Sequence, residues 1–404
     1  MTPSPRRWLM VALVFLATLI NYLDRQTLSV LAPVLRAEFG MSNVDYSRVV
    51  SAFMVAYTIM NGVSGPLIDR LGTRLGYALC VGWWSLAAIL QATATGALSL
   101  GLTRFLLAMG EAGNWPAGIR VVAEWFPVRE RSLASGLFNS GSALGALIAT
   151  PLVIFLSLHY GWRAAFVAVG ASGLLWLIAW WLLYDTPPGL PPETLPPLPV
   201  AQMLRLRFIR GFLLVKLLFD PVWYFYIFWF PEYLKNGRHL EMADIGKYGW
   251  IPFLVADLGN LAGGWFCGWL LRRGVPLNLA KKGTIALAAA SMAAAFPAVY
   301  VDSVWLSMAC ISLAMAGYTG ANAVLLSIPA DVLPRRALAS AWGLCSMGSG
   351  FGGMVFSLAT GWLIDYYSYV PVFLLFGTLP LLAALALWLA TGPLAPAHAV
   401  AEQG

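Results

Sequence analysis

Charge is what this sequence has least of. Only 11% of its 404 residues are Asp, Glu, Lys or Arg, against 60% hydrophobic, and the mean hydropathy is +0.75. Soluble domains carry about 25% charged residues, so a water-exposed globule is excluded and a polytopic membrane protein is expected, with the lipid bilayer as its first partner. Cysteine and histidine are scarce too. Cys80, Cys267, Cys310 and Cys345 lie in or beside apolar runs without a Cys-x-x-Cys, and His159, His239 and His398 fall in loops or the tail with no ligand spacing. That argues against disulfide, metal or cofactor use and leaves the cysteines as small packing residues. Neither His-Glu-x-x-His nor Gly-x-Ser-x-Gly occurs, so no hydrolytic enzyme motif is present. The net charge of +7 comes from bases scattered among short loops. No basic tract is long enough to follow a phosphate backbone, and no nucleic-acid partner is expected.

What the chain does have is apolar runs of about 20 residues, the length a bilayer needs. They fall near 8–33, 47–68, 77–95, 99–123, 132–157 and 162–184, then near 209–233, 246–271, 281–301, 303–327, 337–361 and 369–391. Arg6-Arg7 ahead of the first run imitates a secretory signal. A signal's apolar core is shorter and ends at a small-residue cleavage site, whereas this run continues to Pro33, so it is read as a mature helix. Between the two sets lies 185–208, with Pro187-Pro188, Pro191-Pro192, Pro196-Pro197 and Pro199, a stiff linker rather than a helix. The expected organisation is an all-α membrane protein of twelve transmembrane helices, with one six-helix half at 1–184 and another at 209–404.

Arg6, Arg7, Arg70, Arg74, Arg129, Arg131, Arg205, Arg207, Arg210, Arg272, Arg273, Lys281, Lys282, Arg335 and Arg336 all fall on one side of this arrangement. Arg36, Arg48, Arg163, Lys235, Arg238 and Lys247 fall on the other. The excess predicts that both termini and the linker are cytoplasmic. An internal repeat supports the two halves: 127–145 aligns without gaps on 334–352, through Arg129-Glu-Arg-Ser-Leu-Ala-Ser-Gly136 and Arg336-Ala-Leu-Ala-Ser-Ala-Trp-Gly343. A weaker match sets Gly65–Gly72 against Gly264–Gly274. Parallel repeats of this kind predict a binding site near the midplane where the halves meet.

Two charged pairs sit inside apolar runs. Asp24 and Arg25 lie in Asn21-Tyr22-Leu23-Asp24-Arg25, and Arg104 and Glu111 lie in the fourth run. Each charge opposes insertion by about 2.5–3.5 kcal/mol, which is tolerated only where it faces protein or a wet cavity. A guanidinium such as Arg25 stays protonated and can grip a carboxylate through two parallel hydrogen bonds. Asp24 points about 100° away from Arg25 on a helix, so the neighbours do not simply neutralise each other. Its protonation is open to tuning by burial and nearby charge. Glu111 and Arg104 are about 10 Å apart along one helix face, so each is expected to meet another helix, with Asp24 or the substrate as candidate partner. The alternative for all four is structural ion pairing. Tyr22 and Tyr57 lie deep in the first two runs. Trp223, Tyr226, Asn260, Tyr318, Asn322 and Ser346 are polar or amphipathic residues in second-half runs. They offer neutral contacts for a polyhydroxylated acid, or interhelical hydrogen bonds worth about 0.6 kcal/mol each. Asp220, Asp257 and Lys216 are further in-span charges without an assigned role.

Gly65-Pro-Leu-Ile-Asp69-Arg70-Leu-Gly72-Thr-Arg74 resembles the signature loop of the major facilitator superfamily, and the resemblance extends over essentially the whole chain. Asn21–Arg25, Arg104–Gly118, Glu124-Trp-Phe-Pro127 with Phe138–Ser142, Asp220–Pro231 and Asp257–Gly264 are similar to the anion:cation symporter family. They most resemble the bacterial hexuronate transporters. The resemblance implies that Arg25 anchors the substrate carboxylate, that Tyr22 and Tyr57 line the pocket, and that Asp24 and Glu111 are the proton-coupling acids with Arg104 as charge partner. It also implies that the Asp69, Arg70 and Arg74 loop latches the cytoplasmic side. Asp69 would dock on the positive end of a facing helix, the eleventh run being the candidate. Glu124, Arg129, Arg131, Asp331 and Arg336 look like the matching network. The expected function is then proton-coupled import of a sugar acid, most like a hexuronate, by alternating access in a bacterial inner membrane. The partners would be a small organic anion and protons, with the carrier a monomer. Galactonate, gluconate, tartrate or an aromatic acid are alternative substrates. A drug or metabolite exporter is disfavoured by an arginine in the first helix, and a non-transporting sensor by the shortness of the termini.

Overall fold

The computed structural model describes residues 5–41, 43–187, 198–240 and 249–394. Most of the Pro-rich stretch, at 188–197, and Lys247 lie outside the described residues. Among the described residues all regular structure is helical. In chain order the helices are α1 (Arg6–Phe39), α2 (Asn43–Leu71), α3 (Thr73–Leu90), α4 (Ala97–Glu111), α5 (Asn114–Trp125), α6 (Val128–Tyr160) and α7 (Trp162–Leu183). They continue as α8 (Arg207–Phe219), α9 (Pro221–Glu232), α10 (Ile251–Arg272), α11 (Leu277–Met292), α12 (Val304–Val332), α13 (Leu338–Tyr366) and α14 (Tyr369–Leu389). Val200–Met203 and Ala295–Ala298 form single turns.

Eight of the helices are long and apolar enough to cross a membrane: α1, α2, α3, α6, α7, α10, α12 and α14. The other expected spans are covered by α4 with α5, α8 with α9, α11 with its following turn, and α13. Two of these are broken for a local reason. Pro116 in α5 lacks an N–H and its ring clashes with the carbonyl four residues back, and the helix is interrupted at Ala112–Gly113. Pro221 does the same at the start of α9, where its fixed φ suits a first helical position. Twelve crossings therefore account for the all-helical fold.

The distribution of side chains is inverted relative to a protein in water. Leu98, Leu158 and Leu182 are each 78% exposed, while Asp24, Arg104 and Glu111 are at most 5% exposed. Leucine costs nothing against lipid tails, whereas a charge must be buried in protein.

Two compact units divide the chain. The first comprises 1–126, 137–198 and 334–344, and the second 127–136, 199–333 and 345–404. In the first unit, Trp176, Trp180 and Tyr184 stack in succession, with Trp176 and Trp180 nearly parallel at 5.0 Å, and Tyr77 meets Trp176 edge-on. The start of α13 crosses α2 at backbone contact: a Cβ on Gly343 would lie 2.0 Å from the Asn61 carbonyl oxygen. In the second unit α10 and α12 pack as closely, and a Cβ on Gly263 would meet the Gly320 carbonyl oxygen at 2.3 Å. Without a hydrophobic driving force between helices in lipid, small residues supply the close van der Waals contact that holds them together.

Candidate functional site

The first unit brings the two expected charged pairs to one place. α1 supplies Asp24 and Arg25, and α4 supplies Arg104 and Glu111. Arg25 Nε donates to Glu111 Oε2 at 2.6 Å, an ion pair whose acid is fully buried and whose base is 21% exposed. Arg104 Nη1 donates to the main-chain oxygen of Asp24 at 3.3 Å. Glu111 thus takes Arg25 as its direct partner, not Arg104 from its own helix. The two-turn offset leaves Arg104 short of it, while α1 passes close enough for a bond. The Asp24 carboxyl lies in the electrostatic field of Glu111, Arg104 and Arg25.

Aromatic rings frame this cluster. The Arg25 guanidinium carbon is 4.4 Å from the Tyr57 ring centre, 5.2 Å from Tyr22 and 5.5 Å from Phe53. Phe53 also faces Arg104 at 4.9 Å. Such contacts gain about 0.5–2 kcal/mol and fix the plane of a guanidinium without neutralising it. The rings therefore hold Arg25 in place while its charge is taken by Glu111.

A second cluster of the first unit surrounds Asp69 at the end of α2. Its Oδ1 accepts from the Ala339 N–H at 3.2 Å and its Oδ2 from the Ser340 N–H at 2.7 Å, at the start of α13. The first amides of a helix have no partner in their own helix, and a carboxylate satisfies them. This is the expected docking onto the eleventh span. Arg120, buried in α5, joins Asp69 Oδ1 at 2.7 Å to Glu124 Oε1 at 3.0 Å. Thr73 donates to the same Glu124 oxygen, and the Tyr184 hydroxyl donates to the other at 2.9 Å. Burial, then the adjoining Glu124 carboxylate, holds the Tyr184 phenol well above its usual range, so it remains a neutral donor. Arg74 is exposed, stacks on Trp181 and donates to that residue's carbonyl. Arg70 is exposed, and Arg336 is half-buried in the turn before α13. Replacing Asp69 with asparagine takes one of Arg120's two anionic partners, leaving it Glu124, and turns an NH2 group towards a helix N-terminus. Breaking a buried ion pair costs about 3–5 kcal/mol, so a fall in the melting temperature of the purified protein is expected. An unchanged melting temperature would remove Asp69 as a stabilising dock.

The second unit has its own charged network where the repeat predicts one. Arg131 Nη1 donates to Asp331 Oδ1 at 2.9 Å and also to the Ala330 carbonyl. Lys281, fully buried, pairs with Asp331 Oδ2 at 2.6 Å and donates to Ser132 and Ser327. Arg129 is exposed. Asp331 is the repeat equivalent of Glu124, but the buried cation comes from a different helix in each unit: α5 provides Arg120, α11 provides Lys281. Neither was singled out from the sequence for this role. The i,i+4 spacing of Arg120 and Glu124 was the available signal for the first.

Among the expected second-half contacts, Tyr318 stands between Phe219 at 4.6 Å and Trp223 at 5.2 Å, both nearly parallel to it. Its hydroxyl reaches Asp220 Oδ1 at 3.4 Å, and Asp220 pairs with Lys216 at 2.5 Å. Asn322 and Ser346 are half-buried. Asn260 Nδ2 donates to the Gly136 carbonyl at 2.9 Å, tying α10 to α6, and Tyr226 is only 1% exposed. The amide of Asn260 is thus engaged in helix packing.

Residues 14–327 and 280–404 match the model of the Major Facilitator Superfamily. The chain is 32% identical over 405 residues to the hexuronate transporter of Escherichia coli strain K12, covering 95% of this chain and 93% of the relative. It is 29% identical to the D-galactonate transporter of Escherichia coli O6:H1, covering 96% of each. Over 278 residues it is 33% identical to the galacturonate transporter of Dickeya chrysanthemi, which covers 64% of this chain. Among solved structures, the proton:xylose symporter XylE superposes with a TM-score of 0.77 at 12% identity over 98% of this chain and 99% of its own. That similarity concerns the fold.

Proposed function

Because this chain belongs to the major facilitator superfamily, and is a multi-pass membrane transporter rather than an enzyme, we propose that it is a proton-coupled symporter of a sugar acid, a hexuronate first. The observation that carries the reading is the Arg25–Glu111 pair, buried among membrane-crossing helices and framed by Tyr22 and Tyr57. One guanidinium is contested by two carboxylates, that of Glu111 and that of the substrate. When Glu111 takes up a proton, Arg25 is released to hold the incoming anion through two parallel hydrogen bonds. When the anion leaves, Arg25 returns to an ionised Glu111. Anion binding and proton uptake thus favour each other, and that reciprocity is the thermodynamic content of symport. Asp24, which precedes Arg25 on α1, and Arg104, two turns before Glu111 on α4, are proposed as the second acid and base of the same exchange.

Tyr22 and Tyr57, whose rings lie beside Arg25, are proposed to offer hydroxyls and ring faces to the sugar. Trp223 and Tyr318, with Asn322 and Ser346, are proposed as neutral contacts from the second unit, and Asn260 and Tyr226 as supports behind them. The relatives carry hexuronate, galacturonate and D-galactonate by name, and a single strong cation suits such monocarboxylates. Asp69, Arg70, Arg74, Glu124, Arg129, Arg131, Asp331 and Arg336 are proposed as the gating network on the cytoplasmic side. The charge asymmetry supports both termini lying on that side, and the bacterial relatives support an inner-membrane location. Alternating access carries the loaded site from one side to the other, the carrier acting as a monomer.

Proteoliposomes with an acidic exterior are expected to accumulate labelled glucuronate or galacturonate above the external concentration. Failure with every sugar monoacid, including galactonate and gluconate, would overturn the substrate class. An imposed voltage without a pH gradient then separates the stoichiometries. One proton per monoanion is electroneutral, whereas a second proton makes uptake respond to voltage by about 2.3 kcal/mol per 100 mV.

A further inference from the structure

The geometry assigns Asn21 of α1 the task of holding a water through which protons pass between Asp24 and Glu111. It is a positioning residue for coupling, and the assignment rests on the proton-coupled reading above. Asn21 is fully buried, and neither its Nδ2 nor its Oδ1 has a hydrogen-bond partner among the described residues. A buried amide left in that state costs about 1–3 kcal/mol. The groups on its other side are already committed. Thr18, one turn earlier on α1, donates to the Val14 carbonyl at 3.0 Å and accepts from Asn114 Nδ2 at 3.1 Å. Asn114 Oδ1 accepts from the Tyr77 hydroxyl at 2.6 Å. That triad is closed to Asn21.

The open atoms lie in the other direction. Asp24 Oδ2, Arg25 Nη2, Arg104 Nε and Glu111 Oε1 are all buried without a hydrogen-bond partner among the described residues. Asn21 shares a helix face with Asp24 and Arg25 at i+3 and i+4, with Cβ atoms about 5–6 Å apart. Glu111 is brought to the same face by its bond to Arg25. A buried water needs two to four polar partners, and an amide that both donates and accepts can hold it beside both acids. The charged and titratable groups around it are Asp24, Arg25 and Tyr22 on α1, Tyr46 and Tyr57 on α2, and Arg104 and Glu111 on α4.

The transfer is a relay without net chemistry. The protonated acid breaks its O–H bond as the water accepts that proton, and the water releases its other proton to the ionised acid, ending as water. An amide suits the task because it orients the water without competing for the proton.

Asn21→Val removes both polar atoms at similar volume, and Asn21→Ser retains a donor and an acceptor. In proteoliposomes, Asn21→Val is expected to slow pH-driven uptake of glucuronate about tenfold more than it slows glucuronate exchange, the order of a mispositioned proton transfer. Asn21→Ser should recover most of that loss. Wild-type pH-driven uptake should also slow in D2O about twofold more than exchange does, a measurement that requires no folded variant. Equal slowing of the two processes in D2O, or an unaffected Asn21→Val beside intact wild-type coupling, would overturn the relay alone. If wild type shows no pH-driven uptake, the coupling reading falls as well.

Discussion

Arg25→Ala is expected to abolish both binding and transport of the sugar acid. A charge-assisted hydrogen bond contributes about 1.5–3 kcal/mol, so losing a bidentate pair weakens affinity by about a hundredfold or more. The substitution also strands Glu111, which is fully buried and has Arg25 as its direct partner. An unpaired buried charge costs about 3–5 kcal/mol, so the variant also loses the charge exchange at Glu111. Arg25→Lys separates charge from geometry. Lysine keeps the positive charge but loses the planar fork and the stacking on Tyr57, so intermediate affinity is expected. Calorimetric titration of the purified variants with glucuronate measures this directly. Retained wild-type affinity in Arg25→Ala would remove Arg25 as the anchor.

Glu111→Gln is expected to separate exchange from accumulation. Glutamine has the same length and keeps an oxygen able to accept from Arg25 Nε, now without a negative charge. The variant resembles the protonated state permanently, so Arg25 is released to the anion and equilibrium exchange continues. Accumulation against a gradient needs Arg25 to be reclaimed after the anion leaves, and a neutral amide reclaims it weakly. Counterflow should therefore persist while pH-driven accumulation collapses towards equilibration. Undiminished accumulation would move the coupling proton to Asp24, which lies in the same electrostatic field.

What each helix contains was the part of the fold most legible in the sequence. The apolar runs give the crossings because burial in lipid demands about 20 apolar residues in succession. Asp24, Arg25, Arg104 and Glu111 stood out because charge at that depth is expensive. Asp69 could be directed to the start of α13 because a lone acid in a tight loop suits a helix N-terminus. Arg120 and Lys281 were missed for the opposite reason. Each lies near the end of an apolar run, where a base also reads as an ordinary topology signal, and only the buried acids opposite them reveal another use.

By itself, then, the sequence determined the number of crossings and the presence of charge within them. Hydropathy and spacing are properties of one segment at a time. The tertiary structure alone decided that Glu111 meets Arg25, that Asn260 spends its amide on Gly136, and that Asn21 is buried without a hydrogen-bond partner among the described residues. The two pairings depend on how each helix is rotated and on how closely it approaches its neighbour, and a side chain selects its partner over a few ångströms that no linear spacing records.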